Sequence, residues 1–170
     1  MRKSFIFGLS LISLSCMAAN ASYNPNQLDD FEKTNSCPSC DLSNVWWGYT
    51  KGISKESTTN HSSANLANAN LSGGDMYNLN LASSNLEGAN LSKVRQTQGR
   101  SFNLCRANLK NANLSGSDLE HANLSEADLT GAVFSGASLR EANLSGAKGA
   151  NLAGADVCKA TLPDGSIGQC

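Results

Sequence analysis

Between Ala64 and Leu162 the chain repeats a five-residue unit eighteen times: a small residue, Asn or Asp, Leu, then two polar or small residues. Ala107-Asn108-Leu109, Ala112-Asn113-Leu114 and Ala122-Asn123-Leu124 are clean copies. The central residue is Leu in fifteen units, the exceptions being Met76, Phe134 and Val157. Two positions earlier stands Ala in thirteen, replaced elsewhere by Gly74, Leu79, Ser84, Phe102 and Ser117. The position between them is Asn in eleven units and Asp in four, with Val133, Ser138 and Thr161 departing. Such a period governs the fold before any local propensity does. Amphipathic helices repeat their apolar residues every three to four positions and half-buried strands alternate, so neither carries a period of five. A turn in every unit does, with the small residue and the Leu both directed inward. Chained corners make a coil, and stacked coils bury a continuous column of Leu flanked by Ala.

The pattern A(D/N)LXX, carried by residues 64–162, resembles that of the pentapeptide-repeat family. The resemblance implies an all-β fold, a right-handed quadrilateral β-helix with four pentapeptides and twenty residues per coil. It implies no activity, since a fold of this kind serves unrelated roles. Residues twenty apart should then stack about one strand spacing, ~4.8 Å, from each other. That register pairs Arg106 with Glu126, Glu120 with Arg140 and His121 with Glu141, and lines up Asn103, Asn123 and Asn143 as an amide ladder.

The units run in step from Leu66 to Leu91 and resume at Leu104, then run to Leu144 and resume at Leu152. Each gap equals whole pentapeptides plus three residues, which predicts bulges near Lys93–Ser101 and Gly146–Gly149. The polar stretch Val94–Arg100 reads as a surface loop. Upstream, Cys40-Asp41-Leu42 fits a first unit and Val45-Trp46-Trp47 follows in phase. Gly48–Ser63, which contains His61, shows no period and reads as a loop or an irregular coil. A solenoid needs its open ends covered. The domain division is therefore a signal segment over 1–21, an N-terminal cap and irregular first coil over 22–63, the β-helix over 64–162 and a C-terminal cap over 163–170.

The first 21 residues read as an export signal: Arg2 and Lys3, an apolar stretch from Phe5 to Leu14, then the small-x-small site Ala19-Asn20-Ala21. The apolar stretch falls short of the ~20 residues a membrane span requires. A lipid anchor on Cys16 is the competing reading, weakened because Ser13 stands where a lipobox usually has Leu. The expected product is an exported protein, periplasmic or secreted, with no membrane span. Without Arg2 and Lys3, 11 basic residues face 14 acidic ones, a net charge of −3. That balance argues against nucleic acid as a partner, which calls for a basic face. It also argues, together with the export signal, against the family's DNA-mimicking inhibitors of type II topoisomerases.

Cysteine is where chemistry would be sought. Cys158 and Cys170 bracket a turn, Leu162-Pro163-Asp164-Gly165, and in an exported chain such a pair forms a disulfide. Cys37 and Cys40 have the spacing of a redox motif but lack the βαβ context of thioredoxin-like enzymes, and a second pair of zinc ligands is missing. A structural role in the cap, oxidised or with Cys40 buried, outweighs a thiol redox protein. Cys105 follows Leu104 and points outward, the leftover thiol. His61 and His121 form no triad, and the acidic residues lack the pattern of calcium-binding repeats. No catalytic, cofactor or metal site emerges, and the chain reads as a non-enzyme. Its aromatic cluster, Val45-Trp46-Trp47-Gly48-Tyr49, reads first as a lid on the open end, with Trp46 and Tyr49 the outward members and the candidate interaction surface. The chain is thus expected to be a rigid structural or protein-interaction module with an unidentified protein partner. Open ends and Cys105 leave a homodimer available.

Overall fold

The computed structural model describes residues 24–45, 59–77, 79–96 and 102–170. The signal segment, Cys16 and the aromatic residues Trp46, Trp47 and Tyr49 lie outside the described residues.

Most of the described pentapeptides make their corner the same way. Ala69 N–H donates to Leu66 C=O (3.0 Å), and Asn68, the last residue of the unit, sits at φ 56°. That is the signature of a type II turn, whose third residue needs a positive φ. Glycine takes this position without steric cost; Gly73, Gly88, Gly116, Gly131 and Gly136 are examples. The side chains of Leu and of the small residue consequently point inward on either side of the turn. Leu66, Leu71, Leu86, Leu109, Leu114, Leu124 and Leu129 are all 0% exposed.

Successive coils pair as parallel bridges: Asn65 with Asn85, Asn70 with Asn90, Asp75 with Arg95. A two-residue pair, β1 (Thr59–Asn60) with β2 (Leu79–Asn80), belongs to the same ladder. Four ladders result, one per side, numbered in chain order as the first (through Asn65), second (Asn70), third (Asp75) and fourth (Asn80), and the twenty-residue spacing of these pairs makes a four-sided β-helix. The preference for Asn over so many units has a double cause. Asn70 Oδ1 accepts from Ser72 N–H (3.2 Å), closing an Asx turn, and also from Asn90 Nδ2 (3.2 Å). Its own Nδ2 donates to Asp41 Oδ1 in the coil before (3.0 Å). Asn80 to Asn60 (2.9 Å), Asn103 to Asn80 (3.0 Å) and Asn108 to Asn85 (3.1 Å) repeat the link on other sides.

The expected stacks are found, with one exchange of partner. Arg106 grips Glu126 through two hydrogen bonds (2.8 and 3.1 Å), and His121 Nδ1 lies 3.5 Å from Glu141. Asn103, Asn123 and Asn143 are bridged in register. Glu120 and Arg140 share a side, since Asp118 pairs with Ser138. Arg140 nevertheless reaches onward to Asp156 in the next coil (3.1 Å), and Glu120 lies near His121 (3.8 Å).

Three departures from twenty residues correct the reading of the breaks. Beyond Asp75–Arg95 the spacing rises by three, as in Asn80 with Asn103 and Asn85 with Asn108. The repeat does not stop at Leu91. Val94 and Gln96 are buried in the small and central positions of one further unit, which confines the extra residues to 97–101. Near Gly149 the chain is shortened by two residues, since Ser138 pairs with Asp156 and Asn143 with Thr161. Gly149 therefore does two jobs, following Lys148 in the central place and taking the positive φ (65°) that ends a unit. Upstream, Ser36 pairs with Asn65 and Asp41 with Asn70, a spacing nine residues longer than a coil, taken up between Val45 and Thr59.

The first coil thus begins with Asn35-Ser36-Cys37, ahead of Cys40-Asp41-Leu42. His61 is not in an irregular loop: Asn60 pairs with Asn80, which puts His61 where a Leu belongs. A helix explains this. Helix α1 (Pro25–Thr34) is started by Asn24, whose side chain accepts from Asn26 N–H (3.0 Å), with Pro25 at its first position. It ends at Asn35, in the left-handed conformation, whose N–H returns to Phe31 C=O (2.7 Å). Phe31 is fully buried and its ring lies 4.5 Å from that of His61. The cap thereby covers the imidazole that ends one column.

Candidate functional site: the corner that carries both insertions

Two stretches of added chain interrupt this solenoid, and each falls between the start of the third side and the start of the fourth. The anchors of the first are Val45, in the small position of the third side, and Thr59, at the start of the fourth. The anchors of the second are Gln96, in the central position of the third side, and Phe102, in the small position of the fourth. A single coil separates them, and it turns the same corner between Tyr77 and Leu79. The two-residue deletion falls elsewhere, between the first and second sides.

The neck of the second insertion is held by an unusual side chain. Gln96 replaces the Leu of its unit and is 8% exposed. Its Oε1 accepts from Phe102 N–H (3.0 Å) and its Nε2 donates to Asp118 C=O (3.3 Å). One amide thus joins both lips of the insertion and supplies the donor that the carbonyl of the next coil takes. Asp118 N–H in turn donates to Val94 C=O (2.9 Å), so the third-side ladder continues through the break. An apolar residue could fill that volume but could make neither bond, and an unmet buried N–H or C=O costs about 1–3 kcal/mol.

The coil between the insertions is more deeply covered than its counterparts. Asp75 and Tyr77 are 3% and 8% exposed, whereas Asp118, Glu120, Arg140 and Asp156 at matching places of later coils reach solvent and Cys158, which also matches Tyr77, is buried. Asp75 Oδ1 accepts from Tyr77 N–H (3.2 Å), the usual Asx turn. Among the described residues the third side carries Arg95, Glu120, His121, Arg140, Glu141, Asp156 and Lys159 next to this corner. Ion pairs between coils engage these charges, Arg140 with Asp156 and Glu141 with Lys159, and His121 Nδ1 lies beside Glu141. Asp156 is held below the usual carboxylate range by the Cys158 backbone N–H and by Arg140.

The cysteines singled out from sequence lie at opposite ends. Cys158 and Cys170 are joined by a disulfide, with Cα atoms 4.3 Å apart. They close a hairpin in which Thr161 pairs antiparallel with Ile167 and Gly165 N–H donates to Leu162 C=O (2.9 Å). Cys37 and Cys40 are both thiols, not joined to each other, under α1. Burial, then the neighbouring Cys37 thiol, pushes the Cys40 thiol up from its ordinary value. Cys105 is half-buried on the fourth side, its Sγ 3.3 Å from Ser125 Oγ. Trp46 and Tyr49, the candidate interaction residues, lie outside the described residues. Among the described residues no three His, Cys, Asp or Glu stand where they could hold a metal ion. No helix among them is long and apolar enough to cross a membrane.

Two features escaped the sequence reading. Gln96 was hidden because a polar residue in a Leu position looks like loop. Helix α1 was announced by Asn24-Pro25 and by Leu28 and Phe31 three apart, a start signal followed by an apolar pair.

The five-residue period, the four ladders and the buried Leu columns define a class of protein. The model of pentapeptide repeats matches residues 62–95, 102–125, 107–146 and 122–164, more than half of the chain. The chain belongs to the pentapeptide-repeat family, and its fold is the right-handed quadrilateral β-helix. Solved structures similar to it include Rfr23, a pentapeptide repeat protein from the cyanobacterium Cyanothece 51142, at 29% identity over 77% of this chain and 97% of that one, TM-score 0.36. Another is a pentapeptide repeat protein of the Arabidopsis thaliana thylakoid lumen, at 26% identity over 84% and 78% of the two chains, TM-score 0.25. A third is a trypsin-treated variant of QnrB1, a plasmid-mediated fluoroquinolone resistance protein, at 20% identity over 75% and 70%, TM-score 0.41. No curated protein matches the chain.

Proposed function

We propose that this protein is an exported, non-enzymatic scaffold that binds a protein partner along the corner between its third and fourth sides. The observation that carries the reading is that both insertions fall between the third side and the start of the fourth, with a single coil between them. Additions to a solenoid gather on the face that binds, and a stiff ladder holds the anchors Val45, Thr59, Gln96 and Phe102 at fixed separation. The charged third side beside them would set orientation, since complementary charge chiefly governs steering and specificity. Export rests on the leader over residues 1–21 and on the Cys158–Cys170 bond, a linkage that persists in oxidising compartments.

A photo-cross-linking residue at Arg95 or Glu120, beside the corner, tests the reading against the same residue at Lys110 or Thr130 on the first side. In the native host the corner positions should capture one defined protein and the first-side positions none. Equal capture from all four positions would overturn it. An intact mass beginning at Ser22 is the expected result for export, and a lipid adduct on Cys16 would move the scaffold to a membrane surface. Inhibition of DNA gyrase by the processed chain would replace the scaffold reading with the DNA-mimic one.

A further inference from the structure

The N-terminal end of the column holds two thiols, one on either side of a tight turn. Cys37 takes the central position of its unit and Cys40, three residues on, the small position of the next, the two places whose side chains this fold turns inward. Cys40 N–H closes the turn on Cys37 C=O (3.4 Å), with Ser39 at φ 61°. Cys40 Sγ donates to the Cys37 carbonyl (2.8 Å), and Cys37 Sγ donates to the carbonyl of Gln27 in α1 (3.7 Å). Cys40 is 3% exposed, while Cys37 is half-buried and reachable. Three links thus tie the start of α1 to the first coil: this thiol contact, Asp41 N–H to Gln27 Oε1 (2.9 Å), and Asn24 N–H to Asp41 C=O (3.2 Å).

We propose that Cys37 and Cys40 form a reversible dithiol–disulfide site for low-molecular-weight disulfides such as oxidised glutathione, and that its oxidation loosens the first turns of α1. The Cys37 thiolate, its proton lost to water, attacks one sulfur of the glutathione disulfide. That S–S bond breaks and one glutathione thiolate leaves. Cys40, deprotonated in turn, attacks Cys37 Sγ of the mixed disulfide and the second glutathione thiolate leaves. Two electrons pass from the two cysteine sulfurs to the glutathione disulfide, and the two released protons balance the two thiolates. Exposure assigns the order: Cys37 is the point of attack and Cys40 the resolving thiol. The product needs its sulfurs about 2.05 Å apart, so both must turn toward each other. Cys37 then gives up the Gln27 carbonyl, and Cys40 the Cys37 carbonyl. Helix α1 keeps the two Asp41 links and its Phe31 anchor, so the change is a loosening around the Gln27 carbonyl and not a release of the helix.

The experiment is a titration of the full processed chain carrying Cys105→Ser across glutathione buffers, with thiols trapped by alkylation and α1 followed by hydrogen exchange. A Cys37–Cys40 disulfide should form in one step while Cys158–Cys170 stays closed. Amide exchange in the first turns of α1 should quicken several-fold over the same range. Added Cys40→Ser should accumulate the glutathione adduct on Cys37, and Cys37→Ser should leave Cys40 unmodified. Two alkylatable thiols throughout, an adduct gathering on Cys40, or unchanged α1 exchange after oxidation would each overturn the proposal. The titration itself requires neither thiol to be replaced, so a poorly folding variant leaves it decisive.

Discussion

At its N-terminal end the solenoid is covered by a helix that drives Phe31 into the core, whereas at its C-terminal end the last strand folds back and is locked by a disulfide. Beneath α1 the residues Leu42, Leu66 and Leu71 are wholly buried. Under the hairpin Leu152, Val157 and Leu162 are only partly covered, and Ile167 is 55% exposed. Burial drives the first closure and connectivity the second. A cap made by burial melts with the coil it covers; a cap made by a bond persists until that bond is reduced, because its main effect is on the unfolded chain.

Phe31→Ala should have the largest effect, about 3–5 kcal/mol on a denaturant midpoint, since it empties a fully buried aromatic site. A loss well under 1 kcal/mol would show that α1 is no part of the cooperative unit. Cys170→Ser comes next, at about 3 kcal/mol on the chain-entropy estimate for so short a loop. Its hydrogen-exchange signature should stay in the last coil, and spread of the protection loss to Leu66 would dissolve the contrast between the ends. Between them, Gln96→Ala should cost about 1–3 kcal/mol by leaving Phe102 N–H and Asp118 C=O unmet. Gln96→Leu restores apolar volume and not the bonds, so it should recover only part.

The smallest effect is electrostatic. Arg106 holds Glu126 below the ordinary carboxylate value of 4.5, and Thr130 and Ser166 hold Asp128 and Asp164 below 3.8. A carboxylate with a lowered folded pKa stabilises above its unfolded value and loses that contribution as pH falls through the folded one. The melting temperature should therefore be flat down to about these ordinary values and decline below them. Glu126→Gln should remove a small part of that slope with little change at neutral pH, as expected of exposed pairs.

The eighteen repeat units, fifteen of them centred on Leu, dictated the coil, and the twenty-residue stacks followed from the family resemblance, because repetition makes the same local decision many times over. Legibility failed wherever one residue served a different purpose at a repeat position. His61 and Gln96 occupy Leu places for reasons that lie in other segments, the first in Phe31 and the second in Phe102 and Asp118. Gly149 compressed a unit and looked like an addition, because a gap of eight residues reads equally as five plus three or ten minus two. That both insertions fall between the third and fourth sides could not be seen at all, because Val45 and Gln96 are far apart in the chain and come to share a side only once the ladder is wound.

The amide ladders also decide what this surface refuses. Five Asn-Leu-Ser triplets, at Asn70, Asn90, Asn113, Asn123 and Asn143, match the acceptor sequence for N-linked sugar. In the folded chain Asn70 and Asn90 have already committed Nδ2, the nitrogen a sugar would be joined to, to the neighbouring coil. The hydroxyls of Ser72 and Ser125 are likewise committed to their own asparagines (2.7 Å each). A glycan there would have to be installed before the coils stack, and it would then wedge them apart. The same nitrogen that zips one turn to the next leaves the wall closed to decoration.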